Sequence, residues 1–280
     1  MIQTITLGAK SNTAEETHPV SIALTPYNDG QLCHGHTWVV SDLHTLASEI
    51  ARVAVGQAEH VAEIFVRAGI ADLQTSADAI GDAVKLLTAA DEPYHRDGWI
   101  FQVMSWIAAH RASPGSLIRA PHMVLAHKGF DGVQVELVEG SNSIVGVIIF
   151  EDKATTSPRN TIRDKVWPEF RELEQGKRQN LLTAEVASLL RTAPAVDANA
   201  ALRSILWGQV RKYRVAITTD TSHTGAPGRA RLFKEFDEVV PGLNARRRGE
   251  TFAVPDLRGW MDSLAQLIIA KLSALPVSNV

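Results

Sequence analysis

In this 280-residue chain, Asp131, Glu151 and Lys153 are two acids and a base set at the ends of two apolar runs, where they could act jointly on a substrate. Asp131 opens the apolar run Gly-Val-Gln-Val-Glu-Leu, and Glu151 and Lys153 close the run Ile-Val-Gly-Val-Ile-Ile-Phe-Glu-Asp-Lys. If Glu139 to Ser143 form a turn between two antiparallel strands, Val135 falls opposite Val147, Val133 opposite Ile149, and Asp131 opposite Glu151. Directly opposed side chains have Cβ atoms ~5 Å apart. Side chains alternate across a strand, so Val145, Val147, Ile149, Glu151 and Lys153 share one face with Val133, Val135 and Leu137. That face is apolar until its last rung, where two carboxylates meet. Opposed like charges on a half-buried face repel and lose hydration unless one is protonated or a cation lies between them. Hard oxygen ligands with room for water suit Mg2+ or Mn2+, and Lys153 is placed to hold a water or offset developing negative charge. The plainer alternative is a turn aspartate beside a surface ion pair worth ~0–1 kcal/mol.

The flanks must position this rung. Upstream, Asp97 to His110 carries Ile100, Val103, Met104, Ile107 and Ala108 at helical spacing, with Asp97 as the expected cap. Downstream, Arg159 to Phe170 predicts a helix, and Tyr213 to Thr219 a further strand.

With these residues in place, the segment from about Asp97 to Thr219 resembles the PD-(D/E)XK, or restriction-endonuclease-like, nucleases. That family places an Asp at the start of its second core strand and Glu-x-Lys on the third, matched here by Asp131 and by Glu151 and Lys153. The resemblance implies an α/β fold with a restriction-endonuclease-like core: a helix, a mixed central sheet and flanking helices. It also implies phosphodiester hydrolysis with Mg2+ or Mn2+ held by Asp131, Glu151 and the backbone carbonyl of Asp152. Many relatives add a Glu from the first core helix. This chain has Gln102 at the comparable place, with Glu92 as a remote substitute.

The net charge of −3 argues against a general nucleic-acid-binding coat, so a basic groove must be local. Arg159, Arg163 and Lys165 follow the Glu-x-Lys strand and are the expected phosphate contacts. Arg229, Arg231, Lys234 and the run Arg246 to Arg248 form a second basic cluster, with ordinary solvated charge as the alternative for each.

At 45% hydrophobic residues the chain can bury a sizeable core. Two regions are expected, an N-terminal strand-plus-helix addition, 1–91, and a nuclease-like domain, 92–280. In the addition, Ile2 to Leu7 and Val20 to Leu24 predict strands and Tyr27 to Gly30 a turn. Ser41 is the expected cap of a helix running through Leu43, Leu46, Ile50 and Val53 towards Val66, and Ser76 of another through Leu87. Pro255 and Asp256 start the predicted last helix, while Thr192 to Asp197 separates two earlier ones.

Cys33 is the only cysteine, which excludes an intrachain disulfide and favours a reducing compartment. The opening residues lack a secretory pattern and no apolar run could span a bilayer, so a cytoplasmic location with no membrane partner is expected. Cys33-His34-Gly35-His36 offers a rival metal cluster without a partner pair at zinc-like spacing. Walker, dinucleotide-binding and serine-hydrolase signatures are absent. The expected function is a metal-dependent endonuclease acting on DNA, by analogy in bacterial antiviral defence beside a helicase or sensor protein. The alternative is a catalytically inactive nuclease-like binding or assembly subunit.

Overall fold

Alternating β-branched and aromatic residues build the sheet on which everything else is hung. The computed structural model describes residues 20–67, 69–88, 93–125, 129–137, 144–192 and 211–278. Within them, β1 (Ile22–Asn28), β2 (His34–Val40), β3 (Leu117–Ile118), β4 (Gly132–Leu137), β5 (Ile144–Lys153), β6 (Arg211–Thr219) and β7 (Arg247–Ala253) form one sheet of order β1-β2-β7-β6-β5-β4-β3. Strands β2, β7, β6 and β5 run parallel in succession, and the pairs β1/β2, β5/β4 and β4/β3 are antiparallel. The protein is therefore α/β with a mixed seven-stranded sheet.

Helices cover both faces because the strands are apolar on both. On one face Trp38, Ile148, Phe150, Ala216 and Phe252 pack with α1 (Leu43–Ala54), α2 (Ala58–Val66), α3 (Ala77–Thr88) and α4 (Pro93–Ala112). On the other, Val133, Val135, Val147, Ile149, Val215 and Ile217 meet a helical stretch that follows β5. It runs as α5 (Pro158–Thr161), a π-helical turn (Ile162–Val166), α6 (Trp167–Glu174) and α7 (Gln179–Leu190). The short helices α8 (Gly225–Leu232) and α9 (Phe236–Val239) join this second core, and the C-terminal α10 (Leu257–Ser273) joins the first. β1 and β2, assigned by sequence to an N-terminal addition, extend the same sheet through β7. No helix of the described residues is long and apolar enough to cross a membrane.

The β4/β5 register is the expected one, with Val133 opposite Ile149 and Val135 opposite Val147. A bulge between Glu136 and Leu137 then shifts the pairing so that Leu137 faces Ile144. The expected turn residues and the strand Ile2 to Leu7 lie outside the described residues, as does most of Thr192 to Asp197.

Three local expectations are corrected. Asp42, not Ser41, caps α1: its carboxylate accepts from the backbone N–H of His44 and Thr45, while Ser41 Oγ donates to the Val20 carbonyl. That helix does not continue to Val66, because Gly56 takes a left-handed conformation (φ 84°) and restarts the chain as α2. Asp97 is no cap: α4 begins at Pro93, and Asp97 is fully buried, paired with Arg96 (2.7 Å) and Arg258. The cap read at Ser76 is present, accepting from Ala79 N–H at 3.1 Å, and the last helix starts where expected, with Asp256 as its cap accepting from Gly259 N–H at 3.1 Å.

Candidate active site

The last rung of the β4/β5 pair brings its ionisable groups together. Asp131 immediately precedes β4, and Glu151 and Lys153 sit on the final residues of β5. Lys153 Nζ lies 2.7 Å from Asp131 Oδ2 and 2.7 Å from Glu151 Oε2. Asp131 Oδ2 also accepts the backbone N–H of Asp152 at 2.8 Å, and Asp131 Oδ1 accepts from Gln102 Nε2 of α4 at 2.8 Å. The four residues read from sequence thus converge, with Gln102 holding the aspartate rather than supplying a carboxylate. The Glu151 side chain is 3% exposed, whereas Asp131 and Lys153 keep 15% and 24%, so solvent reaches the cluster from their side.

The alternation that gathers these side chains sends Asp152 to the opposite face. There its carboxylate accepts from Ser105 Oγ at 2.7 Å and lies 3.7 Å from Arg214 Nη1. Arg214 is itself buried, donating to Ser105 Oγ at 2.6 Å and standing 3.8 Å from Glu250. Glu250 accepts from Trp38 Nε1 at 2.7 Å and contacts His36 Nδ1 at 3.1 Å. Sequence reasoning missed this chain of buried polar groups because its members come from α4, β2, β5, β6 and β7, with no local signature.

Burial sets the electrostatics. Loss of solvent pushes the Glu151 carboxyl well above its usual range; Lys153 opposes this and the charges of Asp131 and Glu169 add to it. For Lys153, burial alone would lower the ammonium, but Glu151 and Asp131 outweigh it and the net shift is upward. Lys153 is therefore a fixed cation, unsuited to be a general base at neutral pH. Desolvation raises Asp152 to about 7 against the opposing pull of Arg214.

No protein-family model matches the chain, and no curated protein matches it.

Among the described residues no three His, Cys, Asp or Glu side chains gather as a metal-ligating set. Any metal would rest on the two carboxylates and main-chain oxygen. Both carboxylates converge at 2.7 Å on the Lys153 ammonium, so a hard divalent ion that drew on them would take the place of that ammonium. In an extended strand the N–H and C=O of one residue face the same neighbour. The Asp152 N–H faces Asp131, so its carbonyl is turned the same way. The donor chemistry fits Mg2+ or Mn2+.

The expected phosphate contacts fare unevenly. Arg159 donates to the Lys234 carbonyl at 2.9 Å and pairs with Glu235 at 3.3 Å, which makes it a brace between α5 and the α8–α9 corner. Arg163 is exposed and paired with Asp164 at 2.6 Å; Lys165 is exposed on the π-helical turn. In the second cluster Arg229 grips Asp29 through two 2.8 Å bonds, Arg246 pairs with Glu174 at 2.7 Å, and Arg248 with Glu136 at 3.1 Å. Arg247 is buried and donates to the carbonyls of Leu32, Val240 and Gly242. The later cluster is thus largely structural. Cys33 is buried with its thiol pushed up to about 12 by desolvation, His34 contacts Asn244, and His36 contacts Glu250.

Proposed function

We propose that this protein is a metal-dependent nuclease of the PD-(D/E)XK type, cutting phosphodiester bonds in DNA. The observation that carries the reading is the convergence of Asp131 and Glu151 on one Lys153 ammonium at the end of the β4/β5 pair. A lysine held charged between two carboxylates, beside an open edge of the site, suits a reaction whose transition state gathers negative charge. Asp131, Glu151 and the Asp152 carbonyl would hold the ion. When bound, it would supply Lewis acidity towards the scissile phosphate and a more acidic coordinated water. Gln102 fixes the Asp131 carboxylate through Oδ1 and leaves Oδ2 facing the shared centre. Lys153 would orient the attacking water and offset charge on the phosphoryl oxygens. A cytoplasmic role in defence against foreign DNA, with a helicase or sensor partner, follows by analogy with the family.

The second reading, an inactive binding or assembly subunit, draws on the same pair of contacts, because Lys153 already neutralises much of the carboxylate charge without a metal. Incubating the purified chain with supercoiled plasmid and labelled oligonucleotides decides between them. A nuclease nicks or cuts with Mg2+ or Mn2+, and loses that activity in chelator and in Glu151→Ala and Lys153→Ala. Nucleic-acid binding that survives both substitutions, with no cleavage under any condition, supports the second reading.

A further inference from the structure

An arginine stacked on the sequence neighbour of Asp131 has no part in the hydrolytic centre as described so far. Arg178 occupies the corner between α6 and α7, in a left-handed conformation (φ 57°, ψ 20°) that a non-glycine residue adopts at a cost. Its guanidinium lies 4.5 Å from the ring centroid of Phe130, the buried neighbour of Asp131. Its ion pair is a single 3.3 Å contact from Nη1 to Glu169 Oε2, and its side chain stays 30% exposed. Glu169 in turn is near enough for its charge to bear on Glu151.

These facts describe a cation stacked but weakly satisfied. A structural arginine in this fold is bound more fully: Arg247 donates to several carbonyls and Arg229 makes a two-bond fork. With Cζ over the Phe130 ring and one contact to Glu169, the guanidinium keeps further donors suited to a planar or tetrahedral anion. Residues held in this region of backbone space cluster at active sites and ligand clamps.

We propose that Arg178 is a substrate-binding residue that exchanges Glu169 for a backbone phosphate of the nucleic acid next to the scissile one. The inference rests on the nuclease reading of Asp131, Glu151 and Lys153. Glu169 then acts as a placeholder that keeps the guanidinium over Phe130 until the phosphate arrives. The phosphate wins the exchange because it accepts two guanidinium hydrogen bonds at once, where Glu169 accepts one.

Duplex oligonucleotide binding, followed by fluorescence anisotropy with Ca2+ in place of Mg2+ across a salt series, tests the exchange on the full chain. Arg178→Ala should weaken binding roughly five- to tenfold and flatten the salt dependence by about one phosphate contact. Arg178→Gly, which relieves the left-handed strain, should lose the same affinity with no fall in melting temperature, separating contact from folding. Glu169→Ala should tighten binding, and only while Arg178 is present. If wild-type protein cleaves DNA while both Arg178 variants bind with unchanged affinity and salt slope, the inference is overturned and the nuclease reading stands. If the Arg178 effects appear without any cleavage by wild type, the phosphate contact stands and the nuclease reading falls. Wild-type protein that neither binds nor cuts overturns both.

Discussion

Lys153 Nζ and Asp131 Oδ2 meet at 2.7 Å across 22 residues of sequence, and the β4/β5 register alone brings them there. The same oxygen accepts the Asp152 N–H, so the aspartate is tied at once to the backbone and to the last side chain of the neighbouring strand. Two carboxylates are thereby gathered on one ammonium, with Glu151 at the same 2.7 Å from Lys153 Nζ.

Removing the lysine should open its place to a metal. In chelator, Lys153→Ala leaves Asp131 and Glu151 facing each other without a cation, which should cost about 1–3 kcal/mol after allowance for partial exposure. Added Mn2+ should restore part of the lost melting temperature by binding the native state, and should do so more in the variant than in wild type. Thermal denaturation with and without metal reads the difference. Equal responses of the two proteins to Mn2+ would mean that lysine and metal do not share one place.

Gln102 offers a second, graded test. Gln102→Ala removes a hydrogen bond to a charged group and should lower stability by about 1–2 kcal/mol, with roughly tenfold slower cleavage as Asp131 loses its anchor. Gln102→Glu sets a third carboxylate beside Asp131. The metal-free variant should be less stable than wild type yet bind Mn2+ more tightly, by calorimetric titration. A variant with weaker Mn2+ binding would show that the α4 side chain does not face the metal position.

The buried face gives a pH dependence of known sign. Asp152 binds its proton more tightly folded, at about 7, than at the ordinary carboxylate value of 3.8 in the unfolded chain. The folded state therefore holds more protons between those values. The contribution to stability is full below pH ~4 and is lost as pH rises through about 7, amounting to a few kcal/mol at most. Asp152→Asn cannot titrate, so wild-type stability should decline relative to the variant over that window and then level off. Chemical denaturation at pH 4, 5.5, 7 and 8 measures it, and a flat difference would contradict the account.

How much of this was legible in the chain depends on the range of each signal. The β4/β5 pairing was readable because two Val- and Ile-rich runs lie a short stretch apart, and a turn placed over Glu139 to Ser143 sets Val135 opposite Val147 and Val133 opposite Ile149. The helix α4 was readable from its buried spacing, although its start was not, since Asp97 looks like a cap and is a buried ion-pair partner. Arg246 to Arg248 read as a basic patch, but their partners Glu174, Glu136 and the carbonyls near Leu32 are distant in sequence. The Ser105, Asp152, Arg214 and Glu250 chain was illegible for the same reason. Arg178 gave no sign because a left-handed arginine has no compositional mark.

Anomalous diffraction from crystals soaked in Mn2+ looks straight at the space between the two carboxylates. A manganese peak should appear there, coordinated by Asp131 and Glu151, with the Asp152 carbonyl beside it and Lys153 moved off at least one carboxylate. Lys153 still bridging both oxygens with no peak between them, at Mn2+ concentrations that saturate other sites, would contradict a metal site there.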